Sequence, residues 1–413
     1  MATPTFLLTP SGYKAGTLYA PLPADGDGDM EMTRSAIATR VNQNGIIQDS
    51  AVDVPRIDYL YGGCPSCIFE EATTNLIDES EDFSTWIVLS ADVNTSSVVS
   101  PDGNTNAYRI QGDGTSVFHA IRHNVTLPSA GRFTFSLFAK AASNSFILMQ
   151  PEAFDFFSYS VYFDLNTGAV NAGDPHVDYA GSEYYGNGWY RCWVSGSTTT
   201  DLIGRVLVYG AESITNAAFP SAAAGAAASV DIFGAQFELQ DRPHSYVKTT
   251  GSVVSKAADE FRLTNIGQFF GTNTGAIYAE FADYPFRYES SNFNFLQIWD
   301  QSTSDYIRFR GNFDTFLGPQ VVGWSSSGGA SYSTEPVVSS IRKVAFTWDG
   351  SDWKSKVNGQ PEQTGAITVN FNPTVIGTSG GGYSTADSLV RLKTLAFYDR
   401  KLTSNELDEL TTL

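Results

Sequence analysis

Residues 133–139, Phe-Thr-Phe-Ser-Leu-Phe-Ala, alternate large and small side chains with period two. That spacing places every second residue on one face of an extended chain and suits a half-buried β-strand, not a helix. The same style recurs at 159–165, 189–195, 205–209 and 229–239, and again at 275–281, 293–300, 306–310, 343–348, 354–357 and 389–398. Pro101-Asp102-Gly103, Asn166-Thr167-Gly168, Asp349-Gly350 and Asn358-Gly359 punctuate these runs with turn chemistry. With 37 Gly, 28 Phe and 20 Tyr, the chain has the residues that strands and tight turns favour. The alanine cluster 222–228 is broken by Gly225 and follows Pro220, so it reads as a loop. The expected class is all-β.

A chain of 413 residues exceeds one hydrophobic core. The first 75 residues carry Pro4, Pro10, Pro21, Pro23, Pro55 and Pro65 and few strand-length alternations. They read as an extended arm that gains order by packing on its own domains or on a neighbouring chain. Residues 76–250 and 251–413 read as two antiparallel β-sandwiches. At the end, Thr403 or Ser404 starts a helical turn or two, with Glu406 in capping-box position and Leu407 and Leu410 facing the sandwich.

The chain has 25 Lys and Arg against 44 Asp and Glu, a formal charge of −19. Nucleic-acid partners are disfavoured, because phosphate binding needs basic side chains and no basic stripe exists. No apolar run is long enough to span a membrane, and the opening residues lack a secretory pattern, so the expectation is a soluble chain made in a cytoplasm. Cys64, Cys67 and Cys192 are too few for a disulfide framework. Cys64 and Cys67 have CxxC spacing without further zinc ligands, so structural thiols are expected.

No catalytic constellation is read: HExxH and phosphate-binding glycine loops are missing, and the histidines at 119, 123, 176 and 244 are scattered. Asp25, Asp27 and Asp29 alternate as in a calcium loop, but Met30 and Ala36 stand where that pattern needs Gly and Glu, leaving a solvated turn. Trp189 and Trp193 share one strand face, which is expected to be the core face, opposite Tyr190. Trp348 also reads as core. Trp299, Trp324 and Trp353, near loop-like residues, are the candidate sugar-stacking rings.

Several stretches resemble a family of phage tail-fibre and head-spike (head-fibre) structural proteins. In the arm these are Thr33–Ser35, Ala38–Asn42, Gly45–Ile47, Val54–Tyr59, Gly63–Ser66, Thr74–Ile77 and Ser80–Ser84. Tyr185–Cys192, Ile232–Glu238 and Ser245–Val247 resemble a carbohydrate-binding-module-like jelly roll. Ala345–Gly350, Val357–Gly359 and Leu395–Thr403 resemble a laminin-G or concanavalin-like domain. The resemblance implies a non-enzymatic virion protein exposed on the particle surface. Residues 1–75 would attach to other virion proteins of head, neck or tail, and the sandwiches would face host-surface polysaccharide, in a homotrimer. The alternative is a capsid decoration protein that stabilises the head; a polysaccharide-active enzyme ranks third. No cofactor is implied beyond a structural Ca²⁺, for which Glu81, Asp82, Asp231 and Glu238 are the candidates.

Overall fold

The computed structural model describes residues 2–60, 64–113, 119–211, 228–282, 293–300, 306–311, 320–325, 329–334, 343–366, 373–377 and 390–412. The chain divides into two compact units. One comprises residues 1–43, 50–71 and 257–413, the other residues 44–49 and 72–256. The described strands are antiparallel throughout, and the all-β class expected from the alternation holds. The Ala222–Ala227 part of the alanine cluster lies outside the described residues.

The unit around residues 72–256 is a sandwich of two six-stranded sheets. In the first, the strands run in the order Ile87–Leu89, Ala120–Thr126, Ile203–Ala211, Phe146–Glu152, Val161–Asp164 and Val170–Asn171. The second runs Ala91–Thr95, Tyr108–Gly112, Ser229–Glu238, Gly131–Ala141, Trp189–Thr198 and Tyr179–Tyr184. Alternate residues meet between the sheets: Phe133, Phe135 and Leu137 from one, Ile147, Met149, Val206 and Val208 from the other. Each is fully buried, which stabilises by about 1.5–3 kcal/mol per large side chain. On the strand Ser229–Glu238 the inward residues are Val230, Ile232, Ala235 and Phe237, so the parity slips once. Gly234, at φ 58°, sits in a register shift opposite Ser136 and Phe138, and this bulge re-aims the second half of the strand.

That sheet corrects the expectation for the tryptophans. Tyr190, Cys192 and Val194 face the inter-sheet core, so Trp189 and Trp193 lie on the outward face. Trp189 is nonetheless buried there, donating from Nε1 to the Val99 carbonyl at 2.9 Å. Trp193 covers Gly181, where a Cβ would fall 2.5 Å from the ring.

In the other unit, one sheet orders Gln363–Ala366, Asp352–Val357, Lys343–Asp349, Thr274–Phe281, Val390–Tyr398, Ser66–Phe69 and Arg56–Asp58, with Phe6–Leu8 also paired to Val390–Tyr398. The second joins Tyr13–Lys14, Thr17–Leu18, Met30–Thr33, Glu260–Thr264, Val375–Gly377 and Phe293–Trp299, then continues through Tyr306–Gly311, Gln320–Ser325 and Gly329–Thr334. Of the arm expected over 1–75 to pack on its own domains or on a neighbouring chain, residues 6–8, 13–14, 17–18, 30–33, 56–58 and 66–69 form strands of two to four residues in the sheets of the C-terminal sandwich. Phe6 stacks on Phe397 at 4.5 Å, and Phe6 and Phe69 are fully buried. Strands this short, separated by prolines, are below the length at which alternation shows in a sequence. The helix Ser404–Thr411 starts with the expected capping box between Thr403 and Glu406, and Leu407 is buried against Tyr398 and Leu402.

Candidate functional site

The proposed sugar platforms do not present rings. Trp353 is 4 % exposed and stacks on Phe346 at 5.9 Å, with Gly365 leaving room for its indole. Trp299 is also 4 % exposed, on a strand paired with Tyr306–Gly311 and Val375–Gly377. Both rings are spent on the core because their strands are covered on that side, which a nearby loop in sequence does not reveal. Trp324 lies in the strand Gln320–Ser325, opposite Tyr306 and Ala330, and its side chain is outside the described residues.

The carboxylates offered for Ca²⁺ are occupied by protein donors. Glu81 accepts from Lys248 Nζ at 2.7 Å, and from Asn106 and Tyr246. Asp82 caps the short turn Phe83–Thr85, where Ser84, then Tyr108, hold its carboxyl below the ordinary range. Asp231 makes two bonds to the Arg109 guanidinium, both 2.9 Å. Glu238 is buried among Thr73, Gln236 and His244. Burial pushes its carboxyl up, but the bond and charge of His244 outweigh this and leave it lowered. Among the described residues no trio of His, Cys, Asp or Glu is grouped as a cation site would need. Asp27 and Asp25 close a local turn, with the Asp27 amide donating to Asp25 Oδ1 at 3.1 Å. Cys67 and Cys192 are buried thiols that burial pushes far up, and Cys64 is exposed; all three are free.

Each sheet of the sandwich formed by residues 72–256 has an outward face. On the Gly131–Ala141 sheet that face is closed by the chain's own return. Thr134 and Ser195 donate to the carbonyls of Gln240 and Asp241, and Gln236 and Glu238 accept from the amides of Val247 and His244. The other sheet differs. Its inward residues Ile121, Ile147, Met149, Val161, Phe163, Val206 and Val208 belong to the core, so the intervening positions face outward.

Strand register sets these outward residues in rows, three of which follow the row Ala211, Phe146 and Asp164. The first crosses all six strands as Leu89, Ala120, Tyr209, Leu148, Tyr162 and Asn171. Its two tyrosines flank Leu148, two strand spacings or about 10 Å apart at the backbone. The second row is Ile87, Arg122, Leu207 and Gln150, extended by Ser160, which accepts from Gln150 Nε2 at 2.9 Å. The third is Asn124, Arg205 and Glu152, in which Arg205 and Glu152 form an ion pair.

Exposure rises across the rows. Tyr162 and Tyr209 are 4 % and 8 % exposed, Arg122 is half-buried, and Ile203 at the far end is 66 % exposed. Burial, with the Glu152 carboxylate adding to it, pushes the Tyr209 phenol up to about 12, and burial raises Tyr162 too. Both phenols are neutral hydrogen-bonding groups at ordinary pH. The rings and the Gln150 amide are buried like Trp299 and Trp353, so the groups this face offers to a polyhydroxylated ligand are the Ser160 hydroxyl, the Asn124 amide, and the Arg122 and Arg205 guanidinium groups. Sequence reasoning passed over this face. The signal was there in Arg205, Leu207 and Tyr209 at alternate positions, but alternation does not say which side is the core.

No protein-family model matches the chain, and no curated protein matches it in sequence. Among solved structures, the Ruminococcus gnavus IT-sialidase CBM40 bound to alpha2,3 sialyllactose is similar at 14 % identity and a TM-score of 0.27, covering 35 % of this chain and 84 % of its own. Trypanosoma rangeli sialidase is similar at 13 % identity and 0.26, over 93 % and 77 %. Mouse laminin alpha1 chain domains LG4-5 are similar at 13 % identity and 0.21, over 70 % and 87 %. Overlaps this loose bear on neither the function nor the detailed topology of this chain.

Proposed function

We propose that this chain is a non-enzymatic surface protein of a bacteriophage particle whose sandwich of residues 72–256 presents a polysaccharide-binding sheet face. The observation that supports the binding role is the half-buried to exposed polar strip of Arg122, Asn124, Arg205, Glu152 and Ser160, which borders the buried cluster of Tyr209, Leu148 and Tyr162. One sheet face is sealed by the chain's own residues 240–249, while this one is buried at its tyrosines, Leu148, Leu207 and Gln150 and gains exposure at Arg122, Asn124 and Arg205. The virion assignment is supported by the resemblance of Thr33–Ser35 through Ser80–Ser84 to the phage appendage family. With residues 6–69 paired into their own sandwich, attachment to the particle would use folded surface in place of a free arm.

Two measurements test this reading. Immobilised polysaccharides should retain the purified protein, and Arg205→Ala with Asn124→Ala should release it at unchanged secondary structure. Immunogold labelling should place the protein on virions. Retention that survives both substitutions would remove the face from consideration. Hydrolysis of the polysaccharide by the purified protein would replace the binding role with an enzymatic one, and particles that break apart without the protein would favour capsid decoration.

A further inference from the structure

We infer that the exposed Phe157–His176 ring pair is the stacking platform at the end of the polar strip, and that it takes an uncharged pyranose of the polysaccharide in preference to a uronate or sulfated one; this rests on the glycan-binding reading of that face. The strip offers donors and acceptors but no ring, since Tyr162 and Tyr209 are buried. Phe157 supplies one. A bridge between Glu152 and Ser158 carries the third row one residue past the Arg205–Glu152 pair, and Phe157 precedes Ser158 in the chain.

Phe157 is 40 % exposed, the one exposed phenylalanine among the described residues. The His176 side chain, 41 % exposed, lies against it with ring centroids 4.1 Å apart and planes 23° from parallel. Asp174 holds His176 in place, accepting from its amide and from Nδ1, both at 2.9 Å. The loop that presents Phe157 is strained and tightly fastened. Ala153 and Asp155 both adopt positive φ, at 72° and 49°. The Asp155 carboxylate accepts from the amides of Thr199, Thr200 and Asp201 and from the hydroxyls of both threonines. The Phe157 amide donates to the Phe154 carbonyl at 3.0 Å, and its carbonyl accepts from the Ala153 amide at 2.9 Å. Phe154 itself is fully buried. Backbone strain that the surroundings over-determine in this way collects where a group is held ready for a ligand.

The carboxylates around the pair set the charge of that ligand. Tyr159, buried at near right angles to both rings, donates to the Ser197 carbonyl at 2.6 Å. Burial, then the charges of Asp178, Asp155 and Asp174, push its phenol up to about 12. Arg132 offsets Asp178, but the five donors on Asp155 are all neutral. A uronate or sulfate approaching the platform would meet like charge, and the ring faces are themselves electron-rich. The C–H face of an uncharged pyranose meets neither penalty. Its hydroxyls are left to the half-buried to exposed Ser160, Asn124 and Arg205 of the strip.

The test uses the full chain on immobilised polygalacturonate and its carboxyl-reduced form, and on a sulfated and an unsulfated galactan. Wild type should bind the neutral member of each pair about fivefold more tightly, with the gap shrinking as salt rises. Phe157→Ala should weaken retention of the neutral members about tenfold at an unchanged thermal transition. Phe157→Leu, which keeps apolar bulk without a ring, should lose as much, and Phe157→Tyr should retain most of the binding. Asp174→Asn, which keeps the acceptor for His176 and drops the charge, should narrow the gap between neutral and acidic members. Equal or tighter binding of the acidic members by wild type, or full retention by Phe157→Leu, would overturn the inference; the strip stands if Arg205→Ala with Asn124→Ala still releases the protein. Retention lost with Phe157→Leu but indifferent to that double substitution would uphold the platform and remove the strip. Retention of wild type on no member of the panel would overturn both.

Discussion

Arg56 and Asp259, 203 positions apart in sequence, pair in the interior of one unit with side chains 0 % and 2 % exposed. Arg34 reaches the same carboxylate at 2.9 Å, and Glu70 meets Arg56 at 2.9 Å. Arg34 also donates to the carbonyls of Ala36, Ser50, Ala51 and Val54, so the guanidinium is fully used. The network fastens the proline-rich opening residues to the C-terminal sandwich through buried ion pairs, as does Arg391 with Asp58. Removing one member of such a set strands the rest as buried charges.

Asp259→Ala should therefore destabilise this unit by about 3–5 kcal/mol. Urea unfolding followed by tryptophan fluorescence measures it, and limited proteolysis should then cleave within residues 34–56. A midpoint within error of wild type would show that the pairs contribute nothing.

Gly234 adopts φ 58° at the bulge, and a Cβ there would lie 3.0 Å from the Phe138 ring and 3.2 Å from Tyr246. Gly234→Ala combines left-handed strain with that contact, for a loss of roughly 1–3 kcal/mol. Thermal unfolding of the variant checks the figure. An unchanged transition would mean that the bulge relaxes without resistance.

Trp353→Ala should behave as a core truncation, costing about 3–5 kcal/mol. Its effect on polysaccharide retention should appear only where the protein has begun to unfold. Loss of binding by a variant of wild-type stability would return Trp353 to the list of ligand contacts.

The Arg400 side chain, then the Thr403 backbone, hold the Glu406 carboxyl down at about 2 from an ordinary value near 4.5. A carboxylate lowered on folding stabilises the folded state above its unfolded value, and that contribution is lost as pH falls through its folded value. The grip of the capping box on the helix Ser404–Thr411 should thus fade between about pH 4.5 and about pH 2. Hydrogen exchange at the Glu406 and Leu407 amides, compared with Glu406→Gln, reads it out. Parallel acid profiles for the two proteins would refute the linkage.

Much of the local structure was legible. Phe133 to Ala139 became one strand with Phe133, Phe135 and Leu137 inward, and Thr403 and Glu406 made the cap their spacing announces. Asn358 and Gly359 turn with positive φ at both positions, as the dipeptide requires. The opening 71 residues were less legible, because Phe6–Leu8, Arg56–Asp58 and Ser66–Phe69 are three or four residues long, and Phe6–Leu8 and Ser66–Phe69 take partners in Val390–Tyr398, hundreds of positions away.

By itself the sequence determined the all-β class, the strand periodicity and the terminal cap, since these depend on neighbours within a few residues. Only the tertiary structure decided that Trp299 and Trp353 are core, that residues 240–249 seal one sheet face, and that Phe157 and His176 stack at the surface. Alternation assigns each side chain to one of two faces; what covers each face depends on long-range packing that no local pattern encodes.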